Sequence, residues 1–120
     1  MLDNETREQC QTVTASKVTW SVVLPYYNES KYLPETLASL IAQKYRPFRL
    51  ILVDNGSVDD SAELCRTMCD GQEGIDAIHL YEARPGKIHA LEQALAAVNT
   101  TFVATCDADT YYPPHYLERC

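Results

Sequence analysis

Two aspartates, Asp107 and Asp109, follow an uncharged stretch of the chain and are separated by one residue. The stretch 101–106 reads TFVATC, and because it carries no charge it predicts a strand buried on both faces, as in a parallel sheet. If the chain stays extended beyond this strand, the two carboxylates lie on the same side and close enough to share one cation. Since two anions held that close repel each other, a divalent metal ion is the usual partner of such a pair.

Three earlier apolar segments, each followed by a helical pattern, must position this pair. Strands are predicted at 18–24, 48–53 and 75–81, which are rich in β-branched and aromatic residues. Helices are predicted from Leu33 to a stop before Pro47, over 59–69, and from Gly86 onward. The order β-α-β-α-β-α-β with short connections predicts an α/β fold whose sheet is mostly parallel, with helices on both faces.

The apolar residues of each predicted helix recur at helical spacing and define the side expected to face the core. In the first helix they are Leu33, Leu37, Leu40, Ile41 and Tyr45. In the second they are Ala62, Cys65, Met68 and Cys69, so that the two cysteines are predicted to be buried thiols. In the third they are Ile88, Leu91, Leu95 and Val98.

Polar turns follow three of the predicted strands: PYYN, DNGS and DADT. Because the carboxyl ends of parallel strands meet at one edge of the sheet, these turns are expected to line that edge, where open α/β sheets bind their ligands. In PYYNES, Asn28 or Ser30 is available to cap the first helix. In DNGS, Gly56 is able to take a positive φ.

The composition limits the class of protein. The chain has 120 residues, enough for one domain, and a net charge of −7 without a basic cluster, which argues against a nucleic-acid partner. No window contains the ~20 apolar residues of a membrane span. Residues 1–17 are polar and are predicted to be a disordered lead-in. Five cysteines without the paired spacing of a zinc site favour a reducing compartment, and cytoplasmic localisation is expected.

Five segments, taken together and in this order, resemble family 2 glycosyltransferases. The segments are SVVLPYYNE, LASLIAQ, LILVDNGSVDDS, RPGKIHALEQAL and CDADT followed by a proline pair. The similarity covers residues 18–117. It implies that residues 18–120 form the Rossmann-like, nucleotide-sugar-binding half of a GT-A domain, with strand order 3-2-1-4.

The resemblance also implies a role for individual residues. Pro25 and Tyr27 would flank the base of a nucleotide-diphosphate sugar, and Asp54 and Asn55 would lie where relatives read the edge of the base. Arg84 and Lys87 would meet the diphosphate or the sugar. Asp109 would bind Mn²⁺ or Mg²⁺, while Asp107 would contact the ribose or the metal. The metal would stabilise the departing nucleoside diphosphate during transfer to an unknown acceptor, a saccharide, lipid or protein.

An inverting glycosyltransferase also needs a base that deprotonates the acceptor. In the family this residue lies well downstream of the aspartate pair, so the chain is expected to be truncated before it and inactive alone; a longer native protein could lie at the cytoplasmic face of a membrane. A non-catalytic nucleotide-sugar-binding fragment is one alternative. A phosphatase of the haloacid dehalogenase type, in which Asp107 would be the nucleophile of a D-x-D-x-T motif, is another.

Overall fold

A computed structural model describes residues 19–119 of the chain. The predicted lead-in and Val18, which was expected to begin the first strand, lie outside these residues. The described elements, in chain order, are β1 (Trp20–Tyr26), α1 (Leu33–Ile41), β2 (Phe48–Asp54), α2 (Ser61–Cys69), β3 (Ile75–Tyr81), α3 (Lys87–Ala96), β4 (Phe102–Thr105) and a 3₁₀ turn (Leu117–Arg119). No helix in this part of the chain is long and apolar enough to cross a bilayer.

The four strands form one sheet in the order β3-β2-β1-β4, and every neighbouring pair is parallel. This confirms the predicted α/β class and strand order. Alternate residues of the two central strands point to opposite faces: Val22 and Leu50 belong to one apolar cluster, whereas Val23 and Ile51 belong to the other. Helices α1 and α2 contribute to the first cluster and α3 to the second, so the sheet has helices on both faces.

Strand β1 continues through Pro25 to Tyr26, two residues beyond the predicted end. Proline lacks the N–H that a central strand needs, but β4 pairs with β1 only as far as Val23. At Pro25 the strand is therefore paired on one side only, with Val53 of β2. Locally it is an edge strand, where proline is tolerated. Pro25 is buried at the end of this strand.

Strand β4 is not buried on both faces, contrary to the expectation from its composition. It lies at the edge of the described sheet, and Phe102 and Val103 are exposed while only Ala104 is buried. The uncharged sequence indicated the strand correctly but not how far its two faces are buried, because the burial of an edge strand depends on what packs against it.

The prediction for the inner side of α3 is wrong for two of its four residues. Ile88 and Leu95 are 70% and 48% exposed, whereas the small residues Ala90 and Ala94 pack fully buried on the sheet. Small side chains let the helix approach the sheet closely, and this displaces the larger ones to the rim. The prediction for α2 is confirmed, since Cys65 and Cys69 are fully buried, and burial raises the pKa of both thiols to about 12.

Helix α1 begins at Leu33 with Pro34 in its first turn, as predicted. The predicted caps are wrong, because Tyr32 occupies the N-cap position and no side chain caps the helix. The polar groups of the preceding turn bond instead to the turn after β2. Asn28 N donates to Ser57 Oγ (2.9 Å) and Asn28 Oδ1 accepts from Val58 N (2.8 Å).

Candidate functional site

An open cleft of about 610 Å³ lies at the carboxyl ends of β1, β2 and β4. Its walls come from the turns that follow these strands and from the start of α3. The lining residues are Pro25, Tyr26, Tyr27, Glu29, Asn55, Pro85, Gly86, Lys87, Asp107, Ala108 and Asp109. Six residues predicted for the site are therefore brought together in one cleft: Pro25, Tyr27, Asn55, Lys87, Asp107 and Asp109. Asp54 and Arg84 lie outside its lining.

The acidic side of the cleft carries Asp107 and Asp109. The chain turns at Ala108 and Asp109 rather than staying extended, yet both aspartates line the same space. Lys87, the first residue of α3, reaches across and places Nζ 2.5 Å from Asp107 Oδ1. This side of the cleft thus holds two carboxylates and one exposed ammonium group, which is a charge distribution suited to a metal–diphosphate ligand.

The other side of the cleft is aromatic and carries Tyr27, whose side chain is 57% exposed at the end of β1. An exposed ring beside Pro25 offers a flat apolar face on which a base can stack. Glu29, in the same turn, is a cleft residue that the sequence reasoning missed. Partial burial, followed by the charges of Asp109 and Asp59, raises the pKa of its carboxyl. Its place in the turn after β1, which the sequence predicts to line the ligand-binding edge, is the signal that points to it.

Asp54 ends β2 and stabilises its own turn. Its Oδ1 accepts hydrogen bonds from Gly56 N (3.1 Å) and Ser57 N (2.8 Å). Gly56 has φ 94°, the left-handed conformation that its sequence position predicted. The carboxylate therefore fixes the turn that carries Asn55 into the cleft.

Asn55 holds the connection between β3 and α3. Its Nδ2 donates to the backbone oxygens of Glu82 and Arg84, both at 2.9 Å, and its Oδ1 accepts from Gly86 N at 3.2 Å. Both amide hydrogens are thereby used, and only a lone pair on Oδ1 is left for a ligand. An aspartate could not make the two donor contacts.

Arg84 is paired with Glu82, a buried residue that the sequence reasoning also missed. Its Nε donates to Glu82 Oε2 (2.9 Å) and its Nη2 to Oε1 (3.1 Å), in a fork geometry, while Gln93 Nε2 donates to Oε1 at 2.9 Å. The hydrogen bonds from Arg84 hold the pKa of Glu82 at about 2. The guanidinium thus braces the wall of the cleft from outside.

Side chains between the end of β2 and the start of α2 bind the backbone of the turn after β1. Glu29 N donates to Ser61 Oγ (3.0 Å) and Ser30 N to Asp59 Oδ2 (3.2 Å). Hydrogen bonds from Ser61 and Ser30 hold the pKa of Asp59 at about 2. These contacts fix the backbone next to Tyr27 and Glu29.

The residues of the cleft fit a divalent cation that a ligand helps to hold. Within residues 19–119 no group of three or more His, Cys, Asp or Glu side chains is arranged to hold a metal alone. Carboxylates are the protein ligands that Mg²⁺ prefers, and Mg²⁺ commonly takes only one or two of them together with phosphate oxygens and water. Asp109 and Asp107 supply such a pair beside open space.

Comparison with known proteins identifies the family. The sequence model of Glycosyl transferase family 2 matches residues 21–120. The chain belongs to glycosyltransferase family 2. The resemblance inferred from the five segments is thereby confirmed. The phosphatase alternative is set aside, since the family match covers the stretch that contains the D-x-D-x-T motif.

Three proteins illustrate the match. Glycosyltransferase GlyG of Streptococcus pneumoniae is 30% identical over 98 residues, which are 82% of this chain and 32% of GlyG. The crystal structure of S. aureus TarS 1-349 in complex with UDP-GlcNAc has a TM-score of 0.71 and 26% identity, covering 85% of this chain and 30% of the TarS 1-349 chain. Mannosyltransferase PcManGT from Pyrobaculum calidifontis, in complex with GDP-Man and Mn²⁺, has a TM-score of 0.73 and 29% identity, covering 78% of this chain and 28% of PcManGT.

The structural matches confirm the GT-A fold for the sheet and its helices. The chain spans less than one third of the length of each of these three proteins.

Proposed function

We propose that this chain binds the nucleoside diphosphate of a nucleotide sugar, together with Mn²⁺ or Mg²⁺, as the donor-binding part of a glycosyltransferase. The observation that carries the proposal is the convergence of an aromatic face, an ammonium group and two carboxylates in one cleft of about 610 Å³. A base, a diphosphate and a divalent cation each require one of these surfaces. The nucleotide-sugar complexes of TarS and PcManGT support the same assignment.

Each side chain has a distinct part in this proposal. Tyr27 and Pro25 flank the base, and Lys87 moves its ammonium group from Asp107 to the diphosphate. The metal, when bound through Asp109 and Asp107, supplies neutralisation of the charge that develops on the leaving nucleoside diphosphate. Asp54 and Arg84 act indirectly, because their side chains hold the turns that form the walls.

Asn55 narrows the choice of base. Because Glu82 O and Arg84 O occupy both hydrogens of Nδ2, Asn55 can only accept a hydrogen bond from a base. Uracil, thymine and guanine each present a ring N–H, whereas cytosine presents a ring nitrogen acceptor at the corresponding position. We therefore expect UDP, TDP or GDP to bind in preference to CDP.

Two finer features stay predictions: the inverting course, and the location of the catalytic base downstream of Cys120. If the base does lie there, the 120-residue chain binds the donor without transferring the sugar. Metal-dependent release of UDP or GDP by the purified chain in the presence of a nucleotide sugar would contradict this part of the proposal. Donor binding without turnover would be the expected result. The cytoplasm remains the predicted compartment.

The direct test is thermal unfolding of the chain with UDP, GDP, TDP and CDP, each with and without Mn²⁺. A ligand present at about 100 times its dissociation constant stabilises the folded state by about 2.7 kcal/mol, which is a shift of several degrees for a domain of this size. We expect a Mn²⁺-dependent shift that is absent from Asp109→Ala. Asp76→Ala is the matched control, since this exposed aspartate lies near the amino end of β3, away from the cleft. Equal shifts in both variants would refute the proposed site.

A further inference from the structure

Helix α1 has a buried polar side in addition to its apolar one. Thr36 and Gln43 are each 1% exposed, and Ser39 is buried beside them. These positions are separated by three and four residues and therefore lie along one side of the helix and its C-terminal turn. Burying hydroxyl and amide groups is costly unless each one is hydrogen-bonded, so their partners reveal what this side is for.

All three residues bond to the backbone of the segment that follows β4. Thr36 Oγ1 donates to Ala108 O at 2.9 Å, with a longer contact to Tyr32 O at 3.3 Å. Ser39 Oγ accepts from Tyr112 N at 3.0 Å. Gln43 Nε2 donates to the backbone oxygen of Pro113 (2.6 Å) and its Oε1 accepts from Leu117 N (3.1 Å). The buried side of α1 thus docks the chain that carries the two aspartates.

The turn between the carboxylates is held from both ends. Ala108, whose carbonyl is held by Thr36, lies between Asp107 and Asp109. Asp107 N donates to Tyr112 Oη at 2.7 Å, and Tyr112 is itself buried. Two hydroxyl groups, one from α1 and one from the docked segment, therefore fix the backbone on either side of the first carboxylate.

We propose that Thr36 and Tyr112 are positioning residues whose hydroxyls hold the turn 107–109 in the conformation that directs both carboxylates into the cleft. This inference rests on the proposed function, since it concerns the cation site of that cleft. Two carboxylates on a free turn repel and separate, and a cation would then have to order the turn when it binds. A turn ordered in advance removes that cost from binding.

The test uses variants that remove one hydroxyl and leave the shape of the side chain. Thr36→Val and Tyr112→Phe are such variants, and Thr36→Ser is the matched control because it keeps the hydroxyl and loses the methyl group. Mn²⁺ alone is titrated into each protein and its free concentration is followed by electron paramagnetic resonance. We expect the dissociation constant to rise about five- to tenfold in the first two variants, the factor for one lost hydrogen bond, and to stay unchanged in Thr36→Ser.

Amide hydrogen exchange without metal gives a second readout. The Asp107 amide should exchange faster in Tyr112→Phe, because its acceptor is gone, while amides of the central strands β1 and β2 keep the wild-type rate. Wild-type Mn²⁺ affinity in both hydroxyl variants would overturn the inference.

Asp109→Ala separates failure of the inference from failure of the proposed function. If Asp109→Ala binds Mn²⁺ as the wild type does, the cation site itself is wrong and the positioning role falls with it. If Asp109→Ala abolishes binding while Thr36→Val and Tyr112→Phe do not weaken it, only the positioning role fails.

Discussion

Arg84 and Lys87 lie on either side of Pro85 and Gly86, and each is paired with a carboxylate. Arg84 makes a two-bond fork with Glu82, whose side chain is only 6% exposed. Lys87 makes a single contact with Asp107, and the two side chains are 59% and 57% exposed. A buried carboxylate retains its cation because separation would leave it uncompensated, whereas an exposed pair contributes little and exchanges readily. Of the two basic residues, Lys87 is therefore the one free to move to a ligand.

Among the replacements that test this comparison, Glu82→Gln should have the largest effect on stability and on nucleotide binding. The carboxylate accepts hydrogen bonds from Arg84 N, Nε and Nη2 and from Gln93 Nε2, and a glutamine has only one acceptor oxygen for these donors. We expect a lower melting temperature and weaker nucleotide binding together, because the wall between β3 and α3 loses its brace. Thermal unfolding followed by circular dichroism measures the first effect. A melting temperature equal to that of the wild type would show that the fork is not structural.

The replacement Asn55→Asp should come next, although the two side chains have nearly the same shape. The aspartate cannot donate to Glu82 O and Arg84 O and would bring a negative charge beside both carbonyl oxygens. We expect a loss of about 1 to 3 kcal/mol in the free energy of unfolding, measured by urea titration. Asn55→Ala is the control, since it removes the donors without adding charge and should be less damaging. Stabilisation by aspartate would mean that the amide does not hold this connection.

The replacement Lys87→Gln should leave stability almost unchanged and affect two ligands in opposite directions. Without the ammonium group, Asp107 loses the cation that competes with a metal, so Mn²⁺ alone should bind more tightly. UDP in the presence of Mn²⁺ should bind about tenfold more weakly, because a charge-assisted contact to the diphosphate is lost. Calorimetric titration of each ligand measures both signs. Arg84→Gln is the comparison variant. It should weaken the binding of both ligands, because the folded structure around the cleft is lost.

The contrast between these pairs also shows what the sequence could reveal. The succession of strands and helices along the chain followed from periodicity and turn residues. The two aspartates were predicted to bind a metal because their carboxylates lie close together after a predicted strand. The resemblance to the family implied a role for both basic residues but could not rank them, because Glu82 is an ordinary acidic residue in a connection until the fold buries it.

The polar side of α1 was missed for a related reason. Thr36, Ser39 and Gln43 have the spacing of a solvent-exposed helix face, and only the docking of the segment after β4 makes them interior. In the same way, Ile88 and Leu95 have the spacing of a core face, but the alanines of α3 take that place. Local periodicity identifies a helix and its two sides, but distant parts of the chain decide whether each side is buried or exposed.

The smallest expected effect is the change with pH in the stability that the Glu82 carboxylate contributes. The folded-state pKa of Glu82, about 2, lies below its ordinary value of 4.5, so its contribution to stability is complete above about pH 4.5 and is lost as the pH falls toward 2. The difference in the free energy of unfolding between the wild type and Glu82→Gln should therefore be constant from about pH 7 to 5 and smaller at about pH 3. Urea titrations of both proteins at each pH measure it, and groups common to both cancel. A difference that already shrinks between about pH 7 and 5 would mean that Arg84 does not hold this carboxylate in its charged form.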